Sequence, residues 1–268
     1  MMNIDKKKFF SINFFLFGIA LLMMGFVFYH GQQNNLVTAF RPMVRDVENR
    51  IVSYRTRSYD FVTTDHFIIR YDDGIDEEII DLVTMTAEDK YGSVVEAFQY
   101  KPQEKIMILL YDDIGAFMDI TMQGKGTPPM GVYYGNTIHL LNPRQWVRSD
   151  EDMTRAFYSE GPLLHELVHL FTDHVGKGNF PIWFTEGVSL YFEYKVDGYE
   201  WGKEVTEIDY TIEMLRDEFY QLDEYLAYTQ SFRIVRNFVE NYGEEALIEI
   251  IESLGEGKSL QSFMHLFR

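Results

Sequence analysis

Apolar and polar residues fall into blocks of different period along the chain. Residues 9–29 are largely apolar and carry no charge, long enough for a membrane-spanning helix, which needs about 20 residues. Leu36, Phe40, Val44 and Val47 then recur at helical spacing, so residues 31–58 are expected to form a helical stalk. Residues 60–71 alternate and read as a strand. Ile79, Ile80, Leu82, Val83 and Met85 supply the apolar positions of a long helix over 76–100. The unbroken apolar run 105–111 reads as a buried strand. A short helix is expected at 112–121, a Gly/Pro-rich loop at 123–129, and a strand or hairpin at 131–141. From Met153 onward the pattern is helical: a segment around 165, another around 186, then 204–222, 228–242, 244–254 and 259–267. Strands followed by helices imply an α+β fold, with a small mixed β-sheet lobe and a mostly helical lobe. The expected division is a cytoplasmic tip and transmembrane anchor at 1–30, a juxtamembrane stalk at 31–58, and one folded domain at 59–268. Within that domain the sheet lobe occupies 59–175 and the helical lobe 176–268.

Charge sharpens the reading of the N-terminus. Lys6, Lys7 and Lys8 directly precede the apolar run. The positive-inside tendency then keeps the N-terminus cytoplasmic and sends the rest outside, although Arg41, Arg45 and Arg50 follow the span. The run is longer than the apolar core of a cleaved signal peptide, and the small residues at Val37-Thr38-Ala39 lie far from it. A single-pass protein of the cell membrane, anchored through residues 9–29 with its domain extracellular, is the expectation. The formal net charge is −18, and the acidic excess lies beyond the anchor. That argues against nucleic acid as a partner. There are no cysteines, which excludes thiolate metal ligands and leaves histidine and carboxylate.

One segment carries specific chemistry. His165-Glu166-Leu167-Val168-His169 places two imidazoles four residues apart, on one helix face. Such a pair can bind one Zn²⁺ ion through ring nitrogens. Glu166 is rotated away from the pair, where it can act as a base on a metal-activated water. Pro162 suits the first turn of this helix, and its apolar surroundings suit a buried one.

A catalytic zinc site needs a third protein ligand. A histidine six residues past His169 would serve in another zinc pattern, but Val175 stands there and His174 is one residue off. Glu186 lies on the next apolar segment, beyond the turn signal Gly176-Lys177-Gly178-Asn179. Spacing gives it a modest lead over Asp173 and Glu193, the nearest other acids.

Taken with Trp183, Glu186, Gly187 and Tyr191, the motif residues His165, Glu166 and His169 resemble those of the gluzincins, the peptidase MA-like group of zinc metallopeptidases. The likeness extends to the strands at 65–71, 105–111 and 131–140 and to the helix opening near Ala227, about residues 60–267 in all. It implies a zincin-like fold, Zn²⁺ held by His165, His169 and Glu186, and Glu166 as general base in peptide hydrolysis. It further implies an oxyanion donor from the helical lobe, for which Tyr228 is the candidate. An extended peptide or protein substrate would pair with an edge strand at Val132, Tyr133 and Tyr134. Leu190 departs from the pattern, since several members carry an aspartate there to orient a histidine; Asp173 or a backbone carbonyl would have to replace it. The alternative is a zincin-fold surface binding module that does not hydrolyse peptides. The intact Glu166 argues against it, because a binding module needs no base.

Overall fold

The structure, a computed structural model, describes residues 33–121 and 126–267. The expected anchor at 9–29 lies outside them. Among the described residues no helix is long and apolar enough to cross a membrane.

Five strands form one mixed sheet: β1 (Asp60–Thr63), β2 (Phe67–Tyr71), β3 (Ile106–Tyr111), β4 (Gly131–Tyr134) and β5 (Thr137–Leu141), in the order β1-β2-β3-β5-β4. The expected single strand over 60–71 is an antiparallel hairpin, β1 against β2. The Thr64 hydroxyl accepts from the Phe67 N–H at 3.0 Å and closes the turn. No glycine or proline marks that break, so alternation alone ran through it. β2, β3 and β5 run parallel, connected through α2 (Glu77–Phe98) and α3 (Ile114–Ile120). β5 is buried at every position, as a strand covered on both faces requires. β4 returns antiparallel to β5 through Gly135 and Asn136, whose φ values of 60° and 56° suit a tight hairpin turn. β4 is therefore an edge of the sheet.

The helical lobe comprises α4 (Met153–Glu160), α5 (Leu163–Gly176), α6 (Ile182–Asp197), α7 (Ile212–Asp217), α8 (Glu224–Tyr242) and α9 (Glu244–Gly255). Two expected helices are corrected. Over 204–222 only the short α7 and a 3-10 turn at Phe219–Gln221 form. Val205, Thr206 and Ile208 are β-branched and weak helix formers, and the Thr211 hydroxyl caps the Met214 N–H at 3.3 Å, starting the helix late. Arg233 also binds the carbonyls of Gly202 and Val205 and holds that stretch open. Over 259–267 two 3-10 turns replace the helix, because Phe267 turns in to stack on Phe238 with ring centroids 4.6 Å apart.

The main core lies between one face of the sheet and the helical lobe, where Ile69, Ile108 and Ile138 meet Val83, Leu167 and Val188. A smaller cluster on the opposite face joins Leu109, Tyr111 and Leu141 to Phe117 and to Val52. Val52 belongs to α1 (Gln33–Arg55), the expected stalk. This helix packs along the body. Its buried positions are Thr38, Val52 and, just past its end, Thr56, while Phe40, Val44 and Val47 are exposed.

Candidate metal centre

α5 is apolar on nearly all sides, with Leu163, Leu164, Leu167, Val168, Leu170 and Phe171 buried. Such a helix belongs inside a protein, and α5 runs between β4 and β5 on one side and α2, α6 and α9 on the others. Gly161 lets the chain turn tightly into it: a Cβ there would stand 2.2 Å from the Phe157 carbonyl oxygen. After α5, Lys177 and Gly178 take left-handed φ values of 50° and 67°. The Asn179 amide donates to the carbonyls of Leu254 at 2.7 Å and Lys258 at 2.9 Å, pinning the turn. α6 then returns alongside α5. Gly187 allows α8 to close on α6, since a Cβ there would lie 2.4 Å from the Ser231 carbonyl oxygen.

The turn brings three donors together. His165 Nε2 lies 3.0 Å from His169 Nε2, and Glu186 Oε2 lies 3.1 Å from the first and 3.4 Å from the second. Ligands bound at about 2.0–2.1 Å in tetrahedral array around one zinc ion stand about 3.3 Å apart. Two imidazoles and a carboxylate at that separation would fit Zn²⁺. Among the described residues these three form the group with metal-ligand spacing.

The other ring nitrogens are held as well. His165 Nδ1 is 3.2 Å from Glu193 Oε2, and His169 Nδ1 is 2.7 Å from Thr185 Oγ1. Contacts of this kind fix the tautomer that presents Nε2 to a metal. Glu193 therefore supplies the carboxylate missing at Leu190, two turns beyond Glu186 on the same helix face. Asp173, a candidate for the third ligand or the orienting group, is neither. It accepts from Arg41 Nε at 2.9 Å, Arg41 Nη2 at 3.0 Å and the Tyr133 hydroxyl at 2.8 Å.

Electrostatics follow from this packing. Burial disfavours a charged His165, but the Glu193 charge and the bonds to Glu186 and Glu193 outweigh it and hold its pKa well above the ordinary value. Burial likewise opposes a charged Glu186, yet the His169 charge and the bonds from both histidines hold its carboxyl well below the usual range. Glu166 is raised, chiefly by burial, with the nearby histidines pulling the other way and Glu186 adding to the rise. Its Oε2 accepts from the Tyr133 backbone N–H at 2.6 Å.

These groups open on a cleft of about 930 Å³. Val132 and Tyr133 line it and Tyr134 does not; the Tyr134 ring packs against the smaller core cluster instead. Tyr228, in the second turn of α8, also lines the cleft. Burial, then the charges of Glu186 and Glu166, raise the pKa of its phenol, so it stays protonated and able to donate. From the expected loop, Thr127, Pro128 and Pro129 reach the cleft wall, and Arg41 of α1 lies at its rim. His139 is buried away from the cleft, with Nδ1 2.8 Å from the Tyr111 hydroxyl and Nε2 3.1 Å from the Tyr134 carbonyl, which is a structural role.

Residues 153–266 match the family model of the Peptidase MA superfamily. The match holds all three cluster residues, Glu166 and Tyr228, so over that stretch the resemblance read from the sequence stands. No curated protein matches the chain.

Proposed function

From a peptidase-type segment built around a His–His–Glu cluster, we propose that this chain is a zinc-dependent peptidase of the HExxH-plus-glutamate type. The single observation that carries the reading is the near-tetrahedral spacing of His165 Nε2, His169 Nε2 and Glu186 Oε2, beside the buried carboxylate of Glu166. Zn²⁺ bound there supplies a water of lowered pKa and an electrophile for a substrate carbonyl. Glu166 takes the proton of the attacking water and passes it to the leaving amine as the C–N bond breaks. Its raised pKa makes it a better proton acceptor than an ordinary carboxylate. Tyr228 donates its hydroxyl proton in a hydrogen bond to the carbonyl oxygen as negative charge develops there.

The substrate lies extended along β4. Leu141 N–H bonds the Met130 carbonyl, so by the alternation of an antiparallel ladder Val132 bonds β5 while Gly131 and Tyr133 face away from it. Tyr133 N–H is engaged by Glu166, so the remaining contacts for a peptide are Gly131 N–H and the Gly131 and Tyr133 carbonyls. A Cβ on Gly131 would come within 2.7 Å of Pro162, which keeps this strand close to the start of α5.

Residues 9–29 anchor the chain in the cell membrane in this proposal, with the N-terminus cytoplasmic and the cleft outside. The uncharged run and the three lysines before it support that reading.

The test of function is a peptide library incubated with the purified full chain, with and without a chelator, and with Glu166→Gln. Specific cleavage that stops with the chelator and in the variant, while the variant keeps its metal, is the expected result. Cleavage that persists in Glu166→Gln overturns the assignment.

A further inference from the structure

β4 is an edge strand, so the sheet holds it on one side only. Tyr133 faces away from β5 and needs partners elsewhere. It has two, both on α5. Its backbone N–H donates to Glu166 at 2.6 Å, and its hydroxyl donates to Asp173 Oδ2 at 2.8 Å. Asp173 lies two turns past Glu166 on that helix and is buried. A buried carboxylate needs a countercharge.

That charge comes from α1. Arg41 Nε and Nη2 meet the two oxygens of Asp173 at 2.9 Å and 3.0 Å, a bidentate fork. Gly178 leaves it room, since a Cβ there would stand 3.2 Å from Arg41 Cδ. Arg45 adds a bond to the Asp173 carbonyl at 2.9 Å. Farther along α1, Asn49 donates to the Thr137 hydroxyl at 3.3 Å. Val52 packs on the hairpin turn so closely that a Cβ on Gly135 would lie 2.9 Å from its Cγ2. α1 thus grips both α5 and the turn of the β4–β5 hairpin, and it lies outside the stretch 153–266 that matches the family model.

Arg41 stands at the rim of the cleft. Binding a substrate carboxylate is the direct role for such a group. Its nitrogens are already engaged, however: Nε and Nη2 hold Asp173, and Nη1 turns to Glu48 at 3.4 Å. We propose instead that Arg41 is a positioning residue. By fixing Asp173 it holds Tyr133, and through Tyr133 it holds β4 and the Glu166 carboxylate. α1 is then a part of the catalytic apparatus and more than a stalk. The link to catalysis rests on the hydrolysis proposed above; the link to β4 does not.

Two readouts on the full chain test this. The first needs no activity: hydrogen exchange, read by mass spectrometry on fragments spanning β4 and β3. Arg41→Gln is expected to speed exchange in β4 about tenfold and leave β3 unchanged. Arg41→Lys keeps the charge without the fork and is expected to fall between the two. The second is steady-state kinetics on a peptide that the wild type cleaves. A fall in kcat of about tenfold is expected for Arg41→Gln, below the about 100-fold that a misplacement of 1 Å can cost, with KM and zinc content unchanged. Added to Tyr133→Phe, Arg41→Gln is expected to cost little more, because both changes cut one chain of contacts. Unchanged exchange in β4 overturns the proposal. Exchange that quickens equally in β3 and β4, in both Arg41 variants, makes Arg41 a general support of the fold and also overturns it. So does a change confined to KM, which assigns Arg41 to substrate, or full additivity with Tyr133→Phe. Cleavage that persists in Glu166→Gln fails the hydrolysis reading instead, and exchange in β4 then decides the role of Arg41.

Discussion

The backbone N–H of Tyr133 donates to Glu166 Oε2 at 2.6 Å, so the edge strand of the sheet holds the carboxylate presented by α5. The same tyrosine is fixed at its other end, where its hydroxyl donates to Asp173 Oδ2 at 2.8 Å. Asp173 is held in turn by Arg41 of α1. A chain of contacts thus runs from the N-terminal helix to the proposed general base.

Tyr133→Phe keeps the backbone donor and removes only the hydroxyl anchor. A hydrogen bond to a charged group contributes about 1.5–3 kcal/mol, part of which is felt as looser placement of Glu166. A fall in kcat of about tenfold is expected, equivalent to about 1.4 kcal/mol, with zinc content and KM little changed. Steady-state kinetics beside elemental analysis check this; unaltered kcat would detach the Asp173 contact from the base.

Tyr228→Phe tests the oxyanion donor. Loss of one such donor costs about 10²–10³ in kcat. Because the bond forms as charge develops, KM should hold nearly constant while kcat drops. A change confined to KM would make Tyr228 a substrate-packing residue.

Two histidines, the buried His139 and the half-buried His174, weaken the fold toward acid. Burial pushes His139 down to about 4, partly offset by its bond to the Tyr134 carbonyl. His174 is also lowered to about 4, by burial first and then by the Arg45 charge, with Asp173 opposing. Its Nδ1 meets the Tyr100 hydroxyl at 3.0 Å and its Nε2 meets Asn136 Oδ1 at 2.6 Å. Above the unfolded value of 6.5 both states are neutral and nothing is lost. Below it the unfolded chain takes up protons that the native state refuses, so stability falls as pH drops from 6.5 toward 4. The loss is at most about 3 kcal/mol for His139 and less for the partly solvated His174. Denaturant midpoints across that range should decline, and His139→Gln should flatten the decline. An unchanged slope in the variant would remove His139 from the explanation.

The sequence showed the His–His–Glu cluster because its geometry is local. His165 and His169 are one helical turn apart, and a turn signal at 176–179 returns the chain to Glu186. The edge strand was legible through the resemblance, although Tyr134 proved to sit off the cleft. Glu193 was named as a rival ligand when it is the partner of His165 Nδ1. Its two-turn spacing from Glu186 carried that signal, yet spacing alone does not distinguish Nε2 from Nδ1. Arg41 and Asp173 are 132 residues apart, and no local pattern joins them. Periodicity found the apolar face of α1 but not its direction, because the helix docks through Arg41, Arg45, Asn49 and the single buried Val52 while the rest of its apolar residues stay outward. The missed break between β1 and β2 and the late start of α7 both came from threonine hydroxyls bonding nearby backbone.

Elemental analysis of the purified full chain and of Glu186→Ala tests the proposed centre most directly. One zinc ion per chain is expected for the wild type, with most of the metal lost from the variant, from which a ligand has been removed. Folded wild-type protein that takes up no zinc would contradict the centre itself. Zinc held equally well by both proteins would contradict Glu186 as its third ligand.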